Sequence, residues 1–231
     1  MSIRNLRVYK LLPKQFALKD LSEQRVKISE ISELNDPFEF LPFQLSDPVQ
    51  RAQLKRSRKE FASTKGILSF TKSWSSPLIW SHYAEKHSGI ALGFDAPANS
   101  AREVLYVQSR LDPAVWLGEG ATQATVDALV YTKFAEWAYE DEARLVVSLP
   151  DRDHDGRFYL LFRDELPLRE IILGAKCDLT DKEFKQITKN FPGIPIVKAR
   201  PAFRSFKVVR KKTENRQPRF FLSFDASFVR D

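Results

Sequence analysis

A chain of 231 residues with 43% hydrophobic and 29% charged side chains is long enough to bury one substantial core, and no apolar run approaches the length of a membrane span. The formal charge is +7, and the only cysteine, Cys177, excludes an internal disulfide and any cysteine-rich zinc site. Residues 1–8 lack an apolar core before a small-residue cleavage site, so a soluble, cytoplasmic protein is expected.

From the N-terminus, residues 7–12 read as a strand, and Pro13 then opens a helix that turns Phe16, Leu18 and Leu21 inward. A short strand follows at 26–29. Residues 30–48 read as a loop with Asn35, Asp36 and Pro37 as a turn, since the residue before proline is pushed away from helical geometry. Asp47 and Pro48 fit the N-cap and first position of a helix reaching about residue 62 and ended by Gly66. That helix carries a weak basic cluster, Arg51, Lys55, Arg56, Arg58 and Lys59. Strands are predicted at 67–71, 89–94 and 104–107, with a helix at 78–86 between the first two.

Thr122 begins a helix whose Val126, Leu129, Val130, Phe134 and Trp137 recur at helical spacing. It delivers the chain into a strand where Ala143, Leu145, Val147 and Leu149 face a core and Glu140, Glu142, Arg144 and Ser148 form a polar row. Further strands are predicted at 158–162 and 169–173. Thr180 and Glu183 form a capping box with Leu179 and Phe184 as a hydrophobic staple, opening a helix whose buried stripe is Phe184, Ile187 and Phe191. Cys177, close to Leu173 and Leu179, is expected to be a buried thiol. Strands at 194–198 and 206–209 carry a basic segment, and the phenylalanine-rich residues 219–228 dock on the body. No repeat or linker divides the chain, and strands and helices mix without a steady βα alternation. The expected class is therefore α+β, in a single domain over 1–231.

The polar row is the leading chemistry candidate. Alternate strand residues lie roughly 6.5 to 7 Å apart, close enough for Glu140, Glu142 and Arg144 to address one ligand. The competing reading is an Arg144 salt bridge on a solvated sheet face. A second candidate is the block Trp80, Ser81, His82 and Tyr83, in which aromatic rings beside hydrogen-bonding groups suit a flat ring ligand, or form the core side of an amphipathic helix. His82 and His87 stand five apart, which does not align two ligands on one helical face, and no metal site is expected from them. The eight glycines include no phosphate-cradling arrangement, and the serine-elbow and zinc-helix motifs are absent.

Charge is regional. Nine of the 37 basic residues but one of the 30 acidic ones fall in 198–219, which leaves 28 basic against 29 acidic residues elsewhere. Arg200, Arg204, Lys207, Arg210, Lys211 and Lys212 would attract a DNA or RNA backbone, with Phe203 and Phe206 placed to stack on bases. The alternative is a solvated basic edge whose phenylalanines belong to the core.

Several blocks together resemble a widespread bacterial family of uncharacterised domains. They are Tyr-Lys-Leu-Leu-Pro at 9–13, Glu-Leu-Asn-Asp-Pro-Phe-Glu at 33–39, Ile-Leu-Ser-Phe-Thr at 67–71, Pro-Leu-Ile-Trp-Ser-His-Tyr-Ala at 77–84 with His-Ser-Gly at 87–89, and Trp-Ala-Tyr-Glu-Asp-Glu-Ala-Arg at 137–144. Their order resembles that of the ADP-ribosyltransferase superfamily, most nearly its nucleic-acid-modifying toxin branch. The resemblance implies split β-sheets flanked by helices, NAD as substrate, a nucleic acid acceptor, a role as toxin or phage-defence effector, and a neutralising partner such as an antitoxin. Carried onto this chain, it makes Glu142 the catalytic glutamate with Glu140 as base. Tyr9, Lys10, Ser69, Phe70, Thr71, Trp80, His82, Tyr83 and Arg144 become NAD contacts, with Lys10 or Arg144 on the pyrophosphate. Lys10 stands where histidine or arginine is usual, and no arginine lies near Pro77. Two other function classes stay open: a non-catalytic nucleic-acid-binding module, and a nuclease whose Asp36, Glu39, Glu140 and Glu142 bind a hard cation.

Overall fold

The computed structural model describes residues 5–113, 122–162 and 166–212. Strands β1 (Asn5–Leu12), β3 (Lys65–Thr71), β4 (Ile90–Pro97), β5 (Ala101–Glu103), β8 (Glu142–Ser148), β10 (Leu168–Leu173), β11 (Ile196–Pro201) and β12 (Val208–Arg210) form one sheet in the order β12-β11-β10-β4-β1-β3-β8-β5. Two short ribbons pair β2 (Arg25–Ile28) with β9 (Phe158–Leu161), and β6 (Leu105–Val107) with β7 (Thr132–Phe134). The α+β class is as expected.

The sheet is nearly divided in two. β1 pairs with β4 along its whole length, from Asn5 opposite Pro97 to Leu12 opposite Ile90. With β3 it pairs at one position, Tyr9 opposite Thr71, whereas β3 pairs with β8 from Lys65 to Thr71. A five-strand half and a three-strand half therefore meet at a single residue pair and splay apart beyond it.

Among the described residues, five α-helices cover the two faces. On one face α1 (Lys14–Glu23) and α5 (Asp181–Asn190) bury Ala17, Leu21 and Ile187 against Val8, Leu68, Phe70, Leu92, Phe94, Ala143 and Ile171. On the other, α3 (Pro77–Tyr83) sets Ile79 and Trp80 on Tyr9, Leu11, Ala91 and Ile172. Beside it α2 (Pro48–Thr64) and α4 (Gln123–Tyr131) pack Leu54, Ala128, Leu129 and Val130 around Ile67. The caps follow local chemistry. Asp47 accepts from the Val49 amide, Thr122 from the Thr125 amide, and Thr180 and Glu183 close the expected capping box. Cys177 is buried, and desolvation pushes its thiol up from the ordinary value.

Several expectations are corrected. The helix from Thr122 ends at Tyr131; the chain then forms β7, which carries Phe134, and a 3-10 turn over Ala135–Glu140 that carries Trp137. Gly66 lies inside β3, and the helix before it runs on to Thr64. Phe16 is half exposed, and Phe184 is exposed as well, so that of the expected stripe Ile187 is enclosed and Phe191 partly buried. Residues 219–228 lie outside the described residues.

The helix expected at 78–86 stops at Tyr83, because Glu85, Lys86 and His87 all adopt positive φ, at 48°, 53° and 75°. Left-handed backbone costs about 1–2 kcal/mol per non-glycine residue, so the turn needs firm anchoring. The Gly89 amide donates to the Ala84 carbonyl, and the Lys176 amide to that of His87. A Cβ on Gly89 would stand 2.1 Å from the Leu12 carbonyl oxygen and 2.8 Å from the Ala84 Cα, both backbone atoms unable to step aside. Gly89→Ala is therefore expected to cost at least about 1–3 kcal/mol in stability. Thermal melting checks this, and an unchanged melting temperature would mean that the close approach is not needed for the fold.

Candidate functional site

Where β1 and β3 part, a cavity of about 420 Å³ opens. Its walls come from the end of β1 (Tyr9, Lys10, Leu11, Leu12), from β3 (Ser69, Phe70, Thr71), from α3 (Ile79, His82, Tyr83) and from the loop holding Leu34, Asn35 and Glu39. Lys133, Glu140 and Glu142 complete it. Alternate residues of a strand direct their backbone groups to opposite neighbours, so the parted edges leave carbonyls and amides outside the ladder. Lys10 Nζ meets one of them, the Ser69 carbonyl, at 3.4 Å, and lies 5.8 Å from the centre of the Phe70 ring.

Three members of the polar row, Glu140, Glu142 and Arg144, are buried, against the solvated-face reading, and only Ser148 at the far end is exposed. Arg144 is fully enclosed and Glu142 is 5% exposed. Arg144 Nε donates to one Glu142 oxygen at 2.7 Å and Nη2 to the other at 3.0 Å. Nη2 also reaches both oxygens of Glu39, at 2.9 and 2.8 Å, and Nη1 donates to the Val130 carbonyl at 2.6 Å. Lys133 Nζ lies 2.6 Å from Glu140, 3.1 Å from Glu39 and 3.4 Å from Glu142. Three carboxylates thus share two cations, with a formal excess of one negative charge.

Local backbone geometry makes this convergence possible. Glu140 closes a 3-10 turn instead of lying on the strand; Asp141 adopts φ +46°, a conformation that aspartate tolerates better than most residues, and β8 begins at Glu142. The Glu142 amide donates to the Tyr106 hydroxyl at 2.9 Å. Glu39 arrives from a loop whose next residue, Phe40, holds φ +60°, a costly conformation for an aromatic. Burial of the Phe40 ring, 5.4 Å from that of Phe61, anchors this turn.

Protonation follows the surroundings. Burial raises the Glu142 carboxyl, but the charge and hydrogen bonds of Arg144, with Lys133 and the Ser69 hydroxyl, outweigh it and hold the group below its ordinary value. Burial raises Glu140 as well, and there Lys133 and Tyr83 offset it only in part. Glu142 is the fixed anion of the pair and Glu140 the more easily protonated member. The Tyr83 hydroxyl donates to Glu140 and accepts from the Asn35 amide at 3.0 Å; burial and Glu140 hold its proton on firmly.

The structure brings Lys10, Ser69, Phe70, Thr71, His82, Tyr83, Glu140 and Glu142 together on this cavity. Tyr9 contributes to the wall, although its hydroxyl donates to Glu170 at 3.0 Å. Two expected contacts lie elsewhere. Trp80 is buried in the core, its indole N–H donating to the Trp74 carbonyl at 2.7 Å. Arg144 stands behind Glu142 with every guanidinium nitrogen engaged, so the pyrophosphate contact expected of it is replaced by a supporting role. For the nuclease reading, Glu39, Glu140 and Glu142 do gather, but the cation they meet is the Lys133 ammonium, and Asp36 caps its own turn by accepting from the Phe38 amide at 2.9 Å. Lys133 escaped the sequence reading because its segment had the period of a helix. No signal in the run Tyr131, Thr132, Lys133 and Phe134 marks a buried ammonium.

Two predictions follow from this arrangement of charge. Arg144→Met leaves Glu39 and Glu142 buried with Lys133 as their one remaining cation, a loss of about 3–5 kcal/mol. Adding Glu39→Gln relieves that repulsion, so the two changes should couple in denaturant unfolding, and strict additivity would remove Glu39 from the network. Asp20 of α1, whose charge interacts with Lys10, is pushed up to about 7 from an ordinary 3.8, chiefly by burial and against the pull of Lys10. Its folded value lies above its unfolded one, so the stabilisation is complete below about pH 4 and is lost as pH rises to about 7. Between pH 5 and 8 the wild type should lose stability relative to Asp20→Asn by up to about 1.4 kcal/mol per pH unit until it levels off. Parallel stability curves would remove Asp20 as the source.

Among the described residues no helix is long and apolar enough to cross a membrane. Comparison with protein-family models, with curated proteins and with solved structures finds no match to this chain.

Proposed function

We propose that this cavity binds NAD and transfers its ADP-ribose to an acceptor. The observation that carries the reading is the convergence of Lys10, Tyr83 and Glu142 on one cavity whose floor holds excess negative charge. The block order similar to that of ADP-ribosyltransferases points the same way. With it comes the proposed role as a toxin or defence effector held in check by a neutralising protein. A volume of about 420 Å³ falls within the ordinary range for small-molecule pockets.

In this reaction the glycosidic bond between ribose C1′ and the nicotinamide nitrogen breaks, and its electron pair leaves with nicotinamide. Positive charge develops on C1′ and the ring oxygen. Glu142, held ionised by Arg144 and Lys133, stabilises that charge without having to reorganise. The lone pair of an acceptor heteroatom then forms the new bond to C1′, and its proton passes to Glu140, whose raised pKa suits a base. Tyr83 and His82 flank the nicotinamide, and Lys10 supplies the cation for the pyrophosphate in the absence of a glycine loop.

Incubation of the full-length protein with NAD labelled in its adenylate, together with DNA, RNA and protein, tests the proposal. The expected result is nicotinamide release and label on one acceptor, reduced about 100-fold or more in Glu142→Gln, which keeps the side chain's shape and an oxygen for Arg144. Circular dichroism melting controls for folding of the variant. A wild type that neither releases nicotinamide nor labels an acceptor, or a folded Glu142→Gln with an undiminished rate, overturns the reading.

A further inference from the structure

We infer that the hairpin of β11 and β12 is a binding surface for single-stranded nucleic acid. Residues 196–212 carry seven basic side chains and no acidic one. Two of the seven serve the fold: Lys198 donates to the Cys177 carbonyl, and Arg210 pairs with the buried Glu170. Of the others, Arg204 and Lys207 are exposed at the tip, Arg200 lies on β11, and Lys211 and Lys212 are exposed where the chain leaves β12. The tip also presents Phe203 at 92% exposure and Phe206 at 99%. These rings contribute nothing to a core, against the reading that placed them there. A phenylalanine open to water forgoes its burial, and two of them on a tip of one charge sign make a surface that a polyanion with apolar faces complements.

The tip is ordered. The Ala202 amide donates to the Lys207 carbonyl at 2.8 Å and the Lys207 amide to that of Ser205 at 2.9 Å. Beside it a groove of about 380 Å³ is lined by Arg200, Phe203, Arg204, Arg210 and Lys212 among others, and the Arg200 guanidinium lies 4.5 Å from the centre of the Phe203 ring. Cations along a groove lined by the Phe203 ring, with the Phe206 ring exposed on the same tip, match a sugar-phosphate backbone whose bases are free to stack, whereas a duplex keeps its bases stacked on each other. The groove is also coupled to the cavity wall. The Val208 amide donates to the Ser75 carbonyl at 2.8 Å, just before the helix that carries His82 and Tyr83, and Ala199 and Val208 pack with Ile79 and Trp80. Binding at the hairpin stands independently of the chemistry proposed above; that the bound strand is the acceptor rests on that reading.

Fluorescence anisotropy of the full-length protein, without NAD, tests binding with labelled single-stranded DNA, RNA of the same sequence, duplex DNA and polyglutamate. Single strands are expected to bind in preference to duplex. Phe203→Ala with Phe206→Ala should weaken them about tenfold or more. Arg204→Ala with Lys207→Ala should lower the slope of log affinity against log salt by about 1.4. The DNA and RNA arms identify the source of the strand, and Glu142→Gln should bind like the wild type, which separates this test from that of catalysis. Equal binding of duplex or polyglutamate, indifference to loss of both rings, or no binding at low salt overturns the inference.

Discussion

The shared neutralisation of Glu39, Glu140 and Glu142 by Lys133 and Arg144 is the interaction on which the rest of this protein depends. Each charge would cost several kcal/mol to bury alone, and the cluster is tolerable only because every member finds its partner within hydrogen-bond distance. The five groups come from four places: a loop before α2, the short strand β7, a 3-10 turn, and the first residues of β8. Bringing them together requires left-handed backbone at Phe40 and Asp141, and that conformational cost persists because the ion network and the Phe40 ring's burial hold it in place.

The cluster also fixes where the sheet opens. β8 is tied through β3 to the smaller half, and the larger half touches β3 only where Tyr9 faces Thr71. Glu142 lies opposite that same Thr71, so the charged floor sits at the vertex where the halves diverge. A continuous ladder there would leave no gap for Lys10 to cross. The cavity is thus a consequence of strand pairing that stops, with the network as its closed end.

Much of the fold was legible because its signals are local. Asp47 with Pro48, the Thr180 capping box, Thr122 as an N-cap and most strands depend on a few neighbouring residues, and they form as expected. Long-range packing decided the rest. Val126, Leu129 and Val130 keep helical spacing and do form a helix, but Phe134 and Trp137 continue that spacing after β7 has paired with β6, which ends it. Alternation over 140–149 located Glu142 and Arg144 on one side of a strand, yet could not tell a solvated face from a buried one, because the covering Glu39 is about a hundred residues away. Lys133 was hidden by the helical period of its segment, which β7 interrupts to bring it beside Glu140 and Glu142. Trp80 and Tyr83 are three apart on a short helix, and only the sheet beneath determines that one ring packs in the core while the other lines the cavity.

The distribution of charge links the floor of the cavity to the hairpin. The floor carries one more carboxylate than cations, so it favours a ligand that is positive, or becomes positive, at its buried end; across the split, burial lowers the Lys10 pKa, and an anionic group beside it would hold it protonated. A nicotinamide dinucleotide has that polarity, with a cationic ring at one end and a pyrophosphate behind it. The hairpin carries the opposite sign from the floor, and its contact with Ser75 sets it against the helix that walls the cavity. Under the proposed chemistry the floor takes the cationic end of its ligand and the hairpin takes a polyanion, which keeps a polyanionic acceptor from competing for the floor. A strand held at the hairpin would reach that floor only with an uncharged heteroatom, the nucleophile that attack on C1′ requires, while repulsion from the carboxylates keeps its phosphates outside.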